Sequence, residues 1–288
     1  MKPQAGIQSP LPACAKYCFF RLLGNQKDLV EQLNAVVGDD VVLGLGLSLL
    51  KHLGLMVPAM KSAPDFSWQG LDIPQTPSAL CVWVRGADAG VVALRTRKIV
   101  QQLAGAFELI DELDGFLHRN GRDVTGYEDG TENPVGEAAD KAAFVSVGPF
   151  AKSSFMAIQC WQHDMEAFEA LPLSARNHVI GRDLDTNEEL DDAPARAHVK
   201  RTEQDSFSPP QFVLRRSMAW QAATKMGLMF VAFGASFDAF EAQMYRMTGS
   251  ADGIRDALFD ISRPLTSAYY WCPALDNNRL VLDGMLSD

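Results

Sequence analysis

Apolar strands and amphipathic helices alternate twice along this chain, and the second round repeats the order of the first. Residues 15–23 (AKYCFFRLL) form an aromatic, apolar run that predicts a strand. Leu29, Val30, Leu33, Val36 and Val37 then recur at helical spacing, which predicts a helix over 27–37. Residues 41–50 predict a second strand and 79–85 (ALCVWVR) a third. Asp88 follows as the N-cap of a helix running to residue 103. In the second round, 154–162 (SFMAIQCWQ) predicts a strand and Asp164 caps a short helix through 171. Residues 211–218 and 227–233 (GLMFVAF) predict two further strands, and Ser236 caps a helix reaching residue 247.

The two strand–helix junctions read alike: LCVWVRGAD in the first round, LMFVAFGAS in the second. Each is a strand, then Gly-Ala, then a capping residue, then a helix. This predicts an internal duplication of a strand–helix–strand unit. A repeated strand–helix–strand–strand–helix–strand order favours an antiparallel α+β architecture with helices on one face of each sheet. The boundary falls near 134–151, giving halves over 1–140 and 141–288. Two polar or proline-rich stretches, 61–77 and 184–210, remain as long loops, a length that often carries function.

Composition narrows the function classes. The chain has 288 residues, of which 47% are apolar, enough for a full core. Its formal net charge of -10 argues against nucleic acid and against an anionic membrane surface. The five cysteines are scattered with no CxxC pair, which suits a reducing compartment. The first ten residues hold no apolar run resembling a signal peptide. The most apolar stretch, 41–50, falls short of the roughly 18 residues needed to cross a bilayer. The expectation is a soluble cytoplasmic protein.

Candidate chemistry is concentrated in few places. The five histidines form no HExxH or HxH, and GxSxG, Walker and GxGxxG patterns are missing from the sequence. The acidic run 183–192 starts like a calcium loop but has Glu188 where glycine is needed and Pro194 where glutamate is needed. The segment Gly126-Tyr-Glu-Asp-Gly-Thr-Glu-Asn-Pro134 packs Glu128, Asp129 and Glu132 into a turn-rich loop. Three carboxylates so close need a cation, a cofactor or water to offset their repulsion. Arg215 and Arg216 lie in the apolar run VLRRSM, where alternation points one of them inward, to be paired or to face a charged ligand. The alternative is an edge strand with both arginines wet.

Taken together these segments resemble the dye-decolorizing (DyP-type) haem peroxidases. Residues 121–134 (GRDVTGYEDGTENP) look like the family's GxxDG signature, 192–202 (DAPARAHVKRT) its proximal-histidine segment, and 213–218 (VLRRSM) its distal-arginine strand. The late stretch 260–273 (DISRPLTSAYYWCP) extends the likeness over nearly the whole chain. The short loops look most like the compact bacterial B-type, or YfeX-like, subgroup.

The resemblance implies an α+β fold of two ferredoxin-like halves with antiparallel sheets and peripheral helices, a dimeric α+β barrel-like duplication. It implies one haem b per chain, held in the C-terminal half with His198 as axial iron ligand. Asp129 and Arg215 would be catalytic on the distal face, and Ser217 stands where some members carry asparagine. Gly130, Thr131 and Glu132 would adjoin the haem edge, with Gly126 and Gly130 allowing close backbone approach. Phe230, with Leu228, Met229 and Phe233, would wall the haem or serve as ordinary sheet core. Asp260 ranks first and Asp256 second as the carboxylate bonded to His198. Tyr269, Tyr270 and Trp271 are either core or an electron relay. The implied reaction reduces hydrogen peroxide through a ferryl intermediate and oxidises dyes and phenolic donors. A haem- or porphyrin-handling carrier or dechelatase is the alternative. The subgroup commonly forms homo-oligomers, dimers or larger, and the tail 280–288 carries no clear address for packaging into a protein shell.

Overall fold

The Gly-Ala junctions at Gly86 and Gly234 occupy equivalent places in two copies of one four-stranded unit. The computed structural model describes residues 1–24 and 28–282. Lys27, the expected start of the first long helix, and residues 283–288 of the tail lie outside the described residues. The first unit consists of β1 (Cys14–Leu22), β2 (Val41–Leu45), β3 (Leu80–Gly86) and β4 (Phe107–Phe116), with α1 (Ala5–Gln8) before it and α2 (Leu29–Val36), α3 (Leu47–His52) and α4 (Ala89–Leu103) interspersed. A linking helix α5 (Glu137–Ala143) leads to the second unit. That unit holds β5 (Ser154–His163), β6 (Leu214–Arg215), β7 (Met218–Ala222), β8 (Lys225–Gly234) and β9 (Ser262–Cys272). Its helices are α6 (Met165–Ala170), α7 (Leu173–Ile180), α8 (His198–Thr202) and α9 (Asp238–Thr248).

Pairing is antiparallel throughout. In the first unit the spatial order is β2-β3-β1-β4. In the second it is β9-β5-β8, with β6 and β7 both on the far edge of β8. Numbered within each unit, both read 2-3-1-4, the ferredoxin-like arrangement. The units join at two seams, Leu45 opposite Trp271 and Gly115 opposite Trp220. With β5 also paired to β8, the sheet closes on itself and leaves few free edges.

Alternation along the strands separates two cores. Tyr17, Trp83, Met156, Phe233 and Tyr270 point inward and fill the barrel, with Tyr17 stacked on Trp83 at 5.8 Å. The outer face is covered by helices: Leu33 and Val36 of α2, Ile99 and Leu103 of α4, and Phe240 and Met244 of α9 lie in that second core. Asp88 and Asp164 cap α4 and α6 as their positions require, accepting from Val91 N and Ala167 N, both at 2.9 Å.

Three expectations need correction. The apolar run 41–50 is a strand only to Leu45; Leu47–His52 is helical, burying Leu49 and Leu50. A short apolar run does not distinguish strand from helix by periodicity. A Cβ on Gly46 would lie 2.0 Å from the Ser78 carbonyl oxygen, so glycine marks the break. Ser236 is not the N-cap of α9; Phe237 holds that place, although Ser236 Oγ still accepts from Asp238 N at 3.3 Å. The strand expected at 211–218 is β6 followed by β7, interrupted at Arg216 and Ser217. Each unit's fourth strand, β4 and β9, lies outside the strands the sequence predicts; β4 (FELIDELDGF) carries carboxylates on its exposed positions, which mask it. Among the described residues no helix is long and apolar enough to cross a membrane.

Candidate active site

A cavity lies between the outer face of β5 and β8 and the helices above it. Phe240, Gln243, Met244 and Met247 reach it from one face of α9, at the spacing that puts helical side chains in a row. Leu228 and Phe230 reach it from β8, and Gln159, Trp161 and His163 from β5. His198 enters from α8, which lies in the long loop after α7. Arg201 ties α8 down through two bonds to Asp252, at 2.6 and 2.7 Å, and two to the Arg246 carbonyl, at 2.8 and 3.3 Å.

The remaining wall is the Gly-rich acidic segment. Residues 121–129 fold as a hairpin, with Arg122 bridging Glu128 and Asp123 N donating to Tyr127 O at 2.8 Å. Gly126 supplies the positive φ of 93° at its tip. The three carboxylates do not share one counter-charge. Glu128 pairs with Arg122 at 3.0 Å, Glu132 pairs with Arg182, and Asp129 Oδ1 lies 3.8 Å from Arg215 Nη1. Of these three ion pairs, only Asp129–Arg215 has both partners lining this cavity and a smaller one that adjoins it. Gly130, Thr131 and Glu132 line the smaller cavity. Arg216 turns the other way, donating to the Ile7 and Gln8 carbonyls, so the two arginines do point in opposite directions.

His198 Nδ1 lies 2.7 Å from Asp256 Oδ2. This corrects the ranking of the carboxylates: Asp256 is fully buried beside the histidine, whereas Asp260 reaches outward to Arg196 and Arg255, both at 2.7 Å. Ser217 is also corrected. It is buried, its hydroxyl has no partner among the described residues, and it is not among the residues lining either cavity. Phe230 and Leu228 wall the cavity, but Met229 and Phe233 sit on the opposite face of β8, in the barrel interior. Tyr269 stacks on Phe237 at 3.8 Å, Tyr270 bonds Ser78 inside the barrel, and Trp271 packs on Phe150; none of the three lines the cavity.

A further set of polar residues lines the cavity. His163 Nε2 lies 3.0 Å from Asp123 Oδ1, and its Nδ1 lies 2.7 Å from Ser262 Oγ. All three are buried on the cavity wall, and Thr125 donates its N–H and hydroxyl to Asp123. Burial alone would raise the Asp123 carboxyl, but the His163 imidazole and then the Thr125 hydrogen bonds outweigh it and hold the carboxyl below its ordinary value. The Asp-x-Thr-Gly turn was the available signal for Asp123. His163 had none, since its partners are distant in sequence.

The donor set suits haem. The cavity is walled mainly by apolar side chains, and one imidazole faces it with Nδ1 engaged and Nε2 without a protein partner among the described residues. Arg215 Nε is likewise buried without a partner. An imidazole fixed through its other nitrogen is the usual form of a metal-ligating histidine.

A family profile described as "Dyp-type peroxidase, C-terminal" matches residues 120–277. A dye-decolorizing peroxidase of Rhodococcus erythropolis is 33% identical over 213 residues, 70% of this chain and 62% of that protein. One from Mycolicibacterium paratuberculosis is 31% identical over 211 residues, 70% of this chain and 60% of that protein. The chain thus spans somewhat less than two thirds of these relatives. Among solved structures, a dye-decolorizing protein from V. cholerae matches with a TM-score of 0.87 at 25% identity, over 94% of this chain and 96% of that one. A variant of DypB from Rhodococcus jostii RHA1, in complex with haem, shares the fold with a TM-score of 0.87 at 24% identity, over 99% of each chain.

Proposed function

The chain belongs to the dye-decolorizing peroxidase family, and from that premise we propose that it is a haem peroxidase that reduces hydrogen peroxide and oxidises dyes and phenol-like donors. The observation that carries this reading is the meeting of His198, Asp129 and Arg215 on one cavity. His198 would hold the iron through Nε2, with its Nδ1 proton directed at Asp256 Oδ2. A carboxylate there raises the basicity of the imidazole and fixes its orientation. When bound, haem supplies the redox chemistry that splits the O–O bond and draws single electrons from the donors.

The chain's own work is proton transfer and charge stabilisation. An Asp129 oxygen takes the proton from the near oxygen of peroxide and delivers it to the far one, which leaves as water. The Arg215 guanidinium faces the charge that develops as the bond breaks. The 3.8 Å between Arg215 Nη1 and Asp129 Oδ1 is longer than a hydrogen bond, so the carboxylate is not tied up by the guanidinium. The apolar walls keep bulk water from competing with peroxide.

The test uses haem-loaded protein, its Soret band and peroxide-dependent oxidation of a bulky dye. Asp129→Asn and Arg215→Leu are expected to keep haem, with at least one losing about 100-fold or more in turnover. His198→Ala is expected to lose most haem affinity. Full activity in both distal variants would remove the roles given to Asp129 and Arg215. Tight haem binding by the wild type with no peroxide turnover would favour porphyrin carriage or dechelation.

A further inference from the structure

Among the described residues, the strand that presents Arg215 has no neighbouring strand on one edge, and a side-chain amide stands in for it. Arg216 N donates to Val231 O of β8, so the N–H and C=O of Arg215 point to the opposite edge. That edge belongs to β4 further along, where Gly115 and Phe116 oppose Trp220 and Ala219. β4 ends at Phe116, and the chain leaves the sheet to form the hairpin that carries Asp129. It returns at Asn133. Arg215 N donates to Asn133 Oδ1 at 2.7 Å, and Asn133 Nδ2 donates to Arg215 O at 3.0 Å. One carboxamide makes both bonds that a paired strand would make.

Two neighbouring features fit the same design. Gln204 links the same strand to the same turn, accepting from Val213 N at 2.8 Å and donating to Glu132 O at 2.8 Å. Gly130 makes room for it: its φ is 77°, and a Cβ there would lie 2.7 Å from Asn133 Nδ2. Asn133 N in turn donates to Gly130 O at 2.9 Å, closing the turn that begins beside Asp129. Asp129 and Arg215 are 86 residues apart in the chain, yet Asn133 is four residues from one and bonded to the backbone of the other.

We propose that Asn133 is the positioning residue that sets the separation of Asp129 and Arg215. The proposal rests on the peroxidase reading for its kinetic consequence, but the anchoring itself is a property of the chain alone. Small misplacement of reacting groups is costly; a shift of about 1 Å can lower a rate about 100-fold.

The experiment compares wild type, Asn133→Ala and Asn133→Asp by two readouts. The first is hydrogen exchange at the Arg215 amide in the haem-free protein. The second is the rate of reaction of the haem-loaded protein with peroxide, measured apart from the KM for the dye. Asn133→Ala is expected to exchange the Arg215 amide about tenfold faster or more, and to react with peroxide about 10–100-fold more slowly. Haem content and the dye KM should stay near wild type. Asn133→Asp supplies the sharper arm. Its carboxylate can accept from Arg215 N but repels Arg215 O, whereas the neutral acid restores both bonds. Its peroxide rate relative to wild type should therefore rise as pH falls through the aspartate range, about 4. Asn133→Ala with an unchanged Arg215 amide and an unchanged peroxide rate would overturn the proposal, as would a flat ratio for Asn133→Asp should the alanine variant not fold. Were the wild type to bind haem without reacting with peroxide, the peroxidase reading would fail, and the exchange data alone would decide the anchoring.

Discussion

Asp256 Oδ2 lies 2.7 Å from His198 Nδ1, and the second oxygen of the same carboxylate accepts from Leu258 N at 2.8 Å. Both oxygens are engaged and the group is fully buried, so this carboxylate has little freedom to reorient. Asp256→Asn keeps the shape but cannot accept at both positions, because one becomes an NH2 donor. The expected result is a 10–100-fold loss of haem affinity in a titration of the haem-free protein. Asp260→Asn disturbs only the bonds to Arg196 and Arg255 and should titrate like wild type. Equal affinities for the two variants would return the question of the proximal partner to the start.

Acid should loosen the wall that carries Asp129. Asp123 sits in the same hairpin, bonded to His163 and Thr125, and its carboxyl is held below the ordinary value. A depressed folded pKa contributes stability that is present above the unfolded value, about 4, and lost as pH falls through the folded one. Asp123→Asn should therefore lower the melting temperature of the haem-free protein near neutral pH. That deficit should shrink as pH drops below about 4. A deficit that stays constant with pH would show that the Asp123 charge contributes nothing.

The sequence showed the fold more completely than the site. The Gly-Ala junctions revealed the duplication because both halves need a glycine where strand turns into helix. The motif segments carried Asp129, His198 and Arg215 because their chemistry dictates residue type. Asp256 was ranked second to Asp260 because spacing cannot say which carboxylate of the 256–260 turn faces inward. His163 and Asn133 act through partners distant in the chain, and no local pattern reports such a contact. Strand β4 is not legible in the sequence because its exposed face reads as an acidic loop.

Gly227 is the position where closure of the barrel is least tolerant. It opposes Gln162 across the β5–β8 pair, and a Cβ would sit 1.9 Å from the Trp161 carbonyl oxygen. That oxygen also accepts from Trp220 Nε1 at 2.9 Å, so it cannot swing away without losing a buried hydrogen bond. Gly227→Ala should cost about 3 kcal/mol or more in denaturant unfolding. Gly253→Ala is the comparison: φ is 82° there but nothing lies within 4 Å of the added carbon, so only backbone strain of about 1–2 kcal/mol is expected. A smaller loss at Gly227 than at Gly253 would mean that the β5–β8 pair can shift.

Phe230 and Phe233 lie three residues apart on β8, on opposite faces of the sheet, and truncating each should fail in a different way. Phe233 is fully buried in the barrel interior against Trp83, with ring centroids 6.4 Å apart. Removing its ring leaves a void with no solvent access, and Phe233→Ala should cost about 3–5 kcal/mol in the haem-free protein. Phe230 instead bounds the cavity, with Phe240 beside it at 6.1 Å. Its ring already faces open space on one side, so Phe230→Ala should cost clearly less in the same unfolding measurement. Its effect should appear on haem binding, because it removes apolar surface that the cofactor would cover. The two measurements, denaturant midpoint without haem and haem affinity, should therefore rank the two variants in opposite order. The same ranking in both would place Phe230 in the structural core and take the cavity's wall away from β8.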